Sequence, residues 1–322
     1  MSNILVTGGA GYVGSVCSEE LLRRGHQVSI VDDLSTGHRH AVPNDAEFHQ
    51  VDIGNKEAMR QVLASKQFDA VFHFAAKALI PESVTNPAAF YRVNVLAATN
   101  MMTVLCEAEI KRFVFSSTAA VYGNPIEVPI DEEHPQNPVN SYGETKLAFE
   151  RLLKWYSKAY GISVCAFRYF NASGATATRG EEHEPETHII PLLFEAAEGE
   201  REHFTIYGSD YPTPDGSCLR DYVHVVDIAE AHIIALKAMN APGFAAYNIG
   251  LGKSYSVREI HARAEQVIGK KIPVRDGVRR AGDPAILCAS PKRLMIDLGW
   301  RPSHSDLDYI LKTAWAWKTR AR

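Results

Sequence analysis

Cysteine is scarce in this 322-residue chain: Cys17, Cys106, Cys165, Cys218 and Cys288 are each more than fifty positions apart, an odd number without a C-x-x-C pair. That spacing excludes a disulfide framework and a zinc ribbon, and it suits reduced thiols in a cytoplasmic protein. Long apolar runs are also missing, and the first residues pass directly into Ile4-Leu5-Val6-Thr7-Gly8 without a basic leader. No membrane span and no targeting peptide are expected. Charge of one sign is not in excess, because 34 basic against 38 acidic residues leave a net −4. Such a balance gives no general attraction for nucleic acid or anionic lipid, so any phosphate binding must be local. The thirteen histidines show no ligand spacing, His38 and His40 reading as a loop pair, and no metal is expected. What remains is an ordinary globular composition, 46% apolar and 22% charged, long enough for one large α/β unit or a nucleotide-binding domain with a smaller partner.

The first half alternates short apolar runs with longer helical patterns. Strands are expected over 3–7, 28–31, 47–51, 70–74, 112–116 and 163–168, with helices over 88–109 and 142–160. A further helix carries Val13, Cys17 and Leu21 at intervals of four, with Gly25 as its stop. Such β-α repeats predict a doubly wound parallel sheet of the Rossmann type. Beyond Tyr169 the rhythm breaks into Gly- and Pro-punctuated stretches, which predict a smaller mixed α/β substrate domain. The division is expected at 1–169 and 170–322, with 223–250 packing back on the first part.

Gly8-Gly9-Ala10-Gly11-Tyr12-Val13-Gly14 lies between the first strand and the first helix. Glycines there let the backbone approach a pyrophosphate, and the free N–H groups of the helix end stabilise its charge. Asp32 closes the second strand 18 residues beyond Gly14, where a carboxylate receives the adenosine ribose hydroxyls and repels a 2′-phosphate. NAD is therefore expected in preference to NADP.

Tyr142 and Lys146 stand at i and i+4 on one helix face. Lowering a phenol from about 10 to about 7 requires about 4 kcal/mol. One cation about 4 Å away, at an effective dielectric of ~20, supplies about that much, and the Lys146 ammonium and a positively charged nicotinamide are expected to do so together. Upstream, Ser116, Ser117 and Thr118 leave the fifth strand, and each offers a hydroxyl able either to relay a proton or to satisfy a strand end.

Taken together with Arg168-Tyr169-Phe170-Asn171, the Tyr207–Gly216 run and Arg220-Asp221-Tyr222-Val223-His224, these motifs resemble the UDP-glucose 4-epimerase family of extended short-chain dehydrogenase/reductases, over almost the whole chain. The resemblance implies NAD-dependent inversion at C4 of a UDP-hexose through a 4-keto intermediate. It assigns the base to Tyr142, the supporting cation to Lys146 and the relay hydroxyl to Thr118. It implies NAD contacts from Gly8, Gly11, Tyr12, Val13, Gly14, Asp32, Asp52, Ile53, Phe74, Ala75, Ala76, Asn94 and Ser116, with Tyr142, Lys146 and Tyr169 beside the nicotinamide. Substrate contacts fall on Asn171, His188, Ile189, Thr205, Tyr207, Arg220, Arg280, Asp283 and Leu287, the last bearing on sugar-pocket size.

Two departures from the family pattern stand out. Lys77 comes one place earlier than in the family's Phe-Ala-Gly-Leu-Lys, so its cofactor contact is not carried over. Thr187-His188-Ile189 replaces a frequent Asn-Asn-Leu. A 4,6-dehydratase would carry Asp-Glu where this chain has Ala119-Ala120. The preferred sugar stays open among glucose/galactose, N-acetylhexosamine and pentose forms, and a homodimer is implied by resemblance alone. Decarboxylation and a catalytically silent NAD sensor remain the rival readings.

Overall fold

The structure, a computed structural model, describes residues 1–280 and 283–320. Its first part runs β1 (Asn3–Thr7), α1 (Tyr12–Arg23), β2 (Gln27–Asp32), β3 (Glu47–Gln50), α2 (Lys56–Ala64), β4 (Ala70–His73), α3 (Ile80–Thr85), α4 (Pro87–Tyr91), α5 (Ala98–Glu107), β5 (Arg112–Thr118), α6 (Ser141–Tyr160) and β6 (Ser163–Tyr169). There follow β7 (Asn171–Ser173), α7 (Ile189–Glu198), β8 (Phe204–Tyr207), β9 (Leu219–Arg220), β10 (Tyr222–His224), α8 (Val225–Ala238) and β11 (Gly243–Ile249). The chain continues through β12 (Tyr255–Ser256), α9 (Val257–Ile268), β13 (Val274–Gly277), β14 (Ile286–Leu287), α10 (Lys292–Leu298) and α11 (Leu307–Lys318).

Seven strands form one parallel sheet in the order β11-β6-β5-β4-β1-β2-β3. The continuous apolar runs of its inner strands follow from burial on both faces. One face packs Val16, Cys17 and Leu21 of α1 with Ile228 and Ala229 of α8. The other packs Met101 and Leu105 of α5 with Phe149 and Leu153 of α6. The strand order reverses between β4 and β1, and a crevice opens beyond the carboxyl ends of strands at such a point.

The helix expected over 88–109 is interrupted. Residues Arg92–Ala97 form a π turn between α4 and α5, and α3 precedes them. Asn94 is buried within that wider turn, where its amide bonds to the backbone of Lys77 and so draws the helix off its regular course.

In the rest of the chain, β7 pairs with β10, β8 with β13, and β9 with β12 and β14. A separate core there joins Leu193 of α7, Phe204 of β8, Ile260 of α9 and Ile310 of α11.

Candidate active site

A cavity of ≈ 1310 Å³ opens at the reversal point. It exceeds the range of about 300–1,000 Å³ usual for one small ligand, which leaves room for a second. The glycine turn, Asp32, Phe74–Ala76 and Tyr142 line one side; Asn171, Ile189, Arg220 and Leu287 line the other.

The glycines of the turn have different tasks. A Cβ on Gly8 would lie 2.3 Å from Ala75 N, and one on Gly14 would lie 2.1 Å from Gly8 O, so both are required by the fold itself. On Gly11 a Cβ would meet nothing nearer than 3.5 Å. Gly11 caps α1 without a side-chain partner, and the first turn carries no acidic residue. Its backbone N–H groups therefore face an anion-ready space, with the positive helix end behind them.

Asp32 ends β2 inside the same cavity, where burial pushes its carboxyl up. Its oxygens accept from Ala10 N at 3.0 Å and Leu34 N at 2.9 Å. Tyr12, Val13, Asp52 and Ile53 line the wall beside it. A cradle without side chains, a helix end without a cap and a carboxylate at the next strand's tip fit a dinucleotide. Asn94 lies behind this wall, not on it: its Oδ1 accepts from Lys77 N at 2.8 Å, and its Nδ2 donates to Thr145 Oγ1 at 3.1 Å. The Lys77 ammonium itself bonds Glu82 at 2.9 Å.

Tyr142 is placed by the start of α6. Asn140 caps that helix by accepting from Gly143 N at 2.8 Å. A Cβ on Gly143 would stand 2.5 Å from Ala120 O, so the glycine lets the first turn press against the residues after β5. The phenol meets the Thr118 hydroxyl there, while burial pushes it up to about 12. The Lys146 ammonium donates to Ser116 O at 2.8 Å and sits 5.9 Å from the centre of the Tyr142 ring. Burial brings it down to about 7, against the opposing charge of Glu150.

The expectation is that the Lys146 ammonium and the positively charged nicotinamide together lower the phenol; the residues by themselves leave it raised. Desolvation pushes the phenol up, and the Thr118 hydrogen bond pulls it down by less. Burial also penalises the charged lysine, so the pair's protonation depends on what charge enters the cavity with it.

The three hydroxyls left open by the sequence separate by strand alternation. Ser117 Oγ donates to Glu150 Oε1 at 2.5 Å on the far face. Ser116 turns toward Tyr169, and Thr118 toward Tyr142. Tyr169 in turn donates to His232 Nε2 at 2.6 Å, because His232 Nδ1 is committed as donor to Ile228 O at 2.9 Å.

On the opposite side, Arg220 donates to Leu219 O at 2.8 Å and Pro284 O at 2.9 Å and pairs with Asp283. Arg280 stacks 3.9 Å over the Tyr207 ring. Thr205 and Tyr207 stand outside the residues that line the cavity; Thr205 Oγ1 accepts from Arg275 Nε at 3.4 Å. Asn171 Nδ2 donates to Asp221 O at 2.7 Å. Leu287 packs against the small cluster around Ala119 and Tyr122.

Sequence reasoning missed three groups. Asp221 is fully buried, accepts from Leu251 N, Gly252 N and Ala289 N, and so fixes the strand that carries Arg220. Glu150 and Arg168 form a buried pair under β5. Two of the thirteen histidines do meet carboxylates at one place: Glu181, His183, Glu186 and His188 converge on the cavity wall. Arg168 and Asp221 stood in motifs that carry the family resemblance but had no role assigned, and the last group had its signal in the dense Glu181-Glu182-His183-Glu184-Pro185-Glu186-Thr187-His188 run.

Comparison with known proteins places this geometry. The model of the NAD dependent epimerase/dehydratase family matches residues 4–250. A UDP-glucose 4-epimerase of Lacticaseibacillus casei is 46% identical over 317 residues, covering 98% of this chain and 96% of that protein. The crystal structure of UDP-glucose 4-epimerase from Brucella ovis in complex with NAD is 42% identical, with a TM-score of 0.94 over 98% of each chain. That of the Bifidobacterium longum enzyme in complex with NAD+ and UDP is 32% identical, with a TM-score of 0.94 over 99% of this chain and 98% of that one.

Proposed function

The chain belongs to the NAD dependent epimerase/dehydratase family, and from that premise we propose that it inverts C4 of a UDP-hexose of the UDP-glucose/UDP-galactose type, with NAD as cofactor. The observation that carries this reading is the Tyr142–Thr118 pair, set with Lys146 in the same cavity as the glycine turn. NAD, when bound, accepts a hydride from C4 and returns it.

The chain's own residues then have these tasks. Tyr142 takes the proton of the 4-hydroxyl as the keto sugar forms and gives it back on reduction, and Thr118 relays it. The Lys146 ammonium, held on Ser116 O, balances the phenolate charge. Asp32 holds the adenosine ribose and refuses a 2′-phosphate; the α1 end and Gly11 hold the pyrophosphate. Arg220 and Arg280 grip the substrate diphosphate with paired charge-assisted bonds, while the apolar Leu287 side leaves the hexose free to present either face. Firm binding at the nucleotide and loose binding at the sugar favour inversion over uniform grip.

We take the chain to divide into a cofactor part, 1–169 with 223–250, and a nucleotide-sugar part in the remainder. A homodimer is supported by exposed Tyr91 and Leu96 beside exposed Trp155 of the adjacent α6. A cytoplasmic setting is supported by five unpaired cysteines.

The test is incubation of the NAD-loaded protein with UDP-glucose, UDP-galactose, their N-acetyl forms and UDP-pentoses, resolving products as stereoisomers. An isomer of equal mass is expected. Release of water or carbon dioxide, or no conversion of any sugar, overturns the proposal.

A further inference from the structure

We propose that Glu181, His183, Glu186 and His188 form a structural binding site for one zinc-like divalent cation. The four offer one ligand atom each, and these atoms all lie within 4.8 Å of one another. His183 Nδ1 lies 2.9 Å from Glu181 Oε1. His188 Nδ1 lies 2.8 Å from Glu181 Oε1 and also 2.8 Å from Glu186 Oε1.

That last geometry is hard to satisfy with protons. An Nδ1–H carries one proton in the ring plane and can aim well at one acceptor, yet two carboxylates of like charge share this nitrogen. A cation placed among the four atoms binds both carboxylates and both imidazole lone pairs at once. A tetrahedral centre with bonds of about 2.0–2.2 Å has ligand atoms ~3.4 Å apart, so the three contacts of 2.8–2.9 Å open by about half an ångström as the cation enters. Two nitrogens with two carboxylate oxygens suit zinc, whereas calcium and magnesium take oxygen alone.

Four protein ligands make a closed site, which holds structure and leaves no position for a substrate. What it would hold is a segment that closes the cavity. Glu181 O accepts from Trp317 Nε1 of α11 at 3.2 Å. A Cβ on Gly180 would stand 2.3 Å from the same indole, so the segment fits tightly there. Glu182 O bonds His38 Nε2 at 2.9 Å, in the loop after β2. At the far end, His188 precedes α7, whose first residue, Ile189, lines the cavity. One cation therefore fixes the wall that spans the cofactor end and the substrate end. The proposal does not depend on the reaction assigned above.

The test uses the untagged, NAD-loaded protein, stripped with a chelator and titrated with Zn2+ by calorimetry and with Co2+ by visible absorption. One equivalent per chain, the intense d–d bands of tetrahedral Co2+ and a rise in Tm with Zn2+ are expected. His183→Gln and Glu186→Gln should each weaken binding at least tenfold; the second keeps a carbonyl acceptor for the Thr187 and His188 N–H groups. Failure of the stripped protein to bind either metal overturns the proposal. So does stoichiometric binding that survives both substitutions, since the cation would then lie elsewhere.

Discussion

Arg168 Nη2 lies 2.7 Å from Glu150 Oε2, with the two side chains only 2% and 0% exposed. Glu150 is one helical turn beyond Lys146, which is itself one turn beyond Tyr142, so all three share a face of α6. The same carboxylate accepts from Ser117, and the Arg168 guanidinium reaches Tyr122 Oη at 2.8 Å. A buried negative charge beneath the reacting pair is thereby matched by a cation that lies outside the cavity lining, while the same carboxylate still favours the charged form of Lys146.

Removing one partner of this pair should be costly. Arg168→Met is expected to destabilise the protein by about 3–5 kcal/mol, because Glu150 is left buried and unmatched, whereas the double change with Glu150→Met should recover most of the loss. Urea unfolding of the three proteins checks this; equal stability of single and double variants would contradict it.

Tyr142→Phe should lower kcat by roughly 10²- to 10⁴-fold, the usual worth of a positioned proton-transfer group, with NAD retained on gel filtration. Thr118→Val should lower kcat less and shift its pH profile upward, since the phenol loses the hydrogen bond that holds it down. Steady-state rates from pH 6 to 10 separate the two effects.

The glycines of the first turn should respond in opposite ways. Gly14→Ala, with its Cβ 2.1 Å from Gly8 O, should damage folding. Gly11→Ala meets no protein atom closer than 3.5 Å, and should leave Tm within a few degrees while weakening NAD binding at least tenfold. Thermal melts and fluorescence titration with NADH measure the two quantities.

Stability should fall as pH falls through 6. Burial brings His73 down to about 3, His224 to about 4 and His232 to about 3. In the unfolded chain these take up protons near 6.5, so there the unfolded state binds more protons and is favoured by acid. Asp221, raised by burial to about 6, works in the opposite sense, because its folded form holds the extra proton. Three imidazoles against one carboxyl leave about two protons, or roughly 2.7 kcal/mol per pH unit near pH 6. Unfolding free energies at pH 5, 6 and 7 give the slope, and a flat or inverted profile would refute the assignment of neutral buried histidines.

Much of this molecule was legible before its fold. The parallel strands follow from short apolar runs separated by helical spacing, and each strand of the first half falls within two residues of its expected bounds. The glycine turn, Asp32 and the Tyr142–Lys146 pair are local patterns, set by backbone conformation and by the pitch of one helix. Such patterns depend only on neighbours in the chain.

What lay outside sequence reach is what depends on distant neighbours. The π turn at Arg92–Ala97 exists because Asn94 bonds to Lys77, seventeen residues away. The choice among Ser116, Ser117 and Thr118 rests on which face of β5 meets α6. The burial that moves the phenol and the ammonium in unfavourable directions, and the meeting of Glu181 with His188, arise only when the chain closes around its cavity. The order of residues determined which groups were at hand; desolvation and long-range contact, properties of the packed whole, decided their charges and their company.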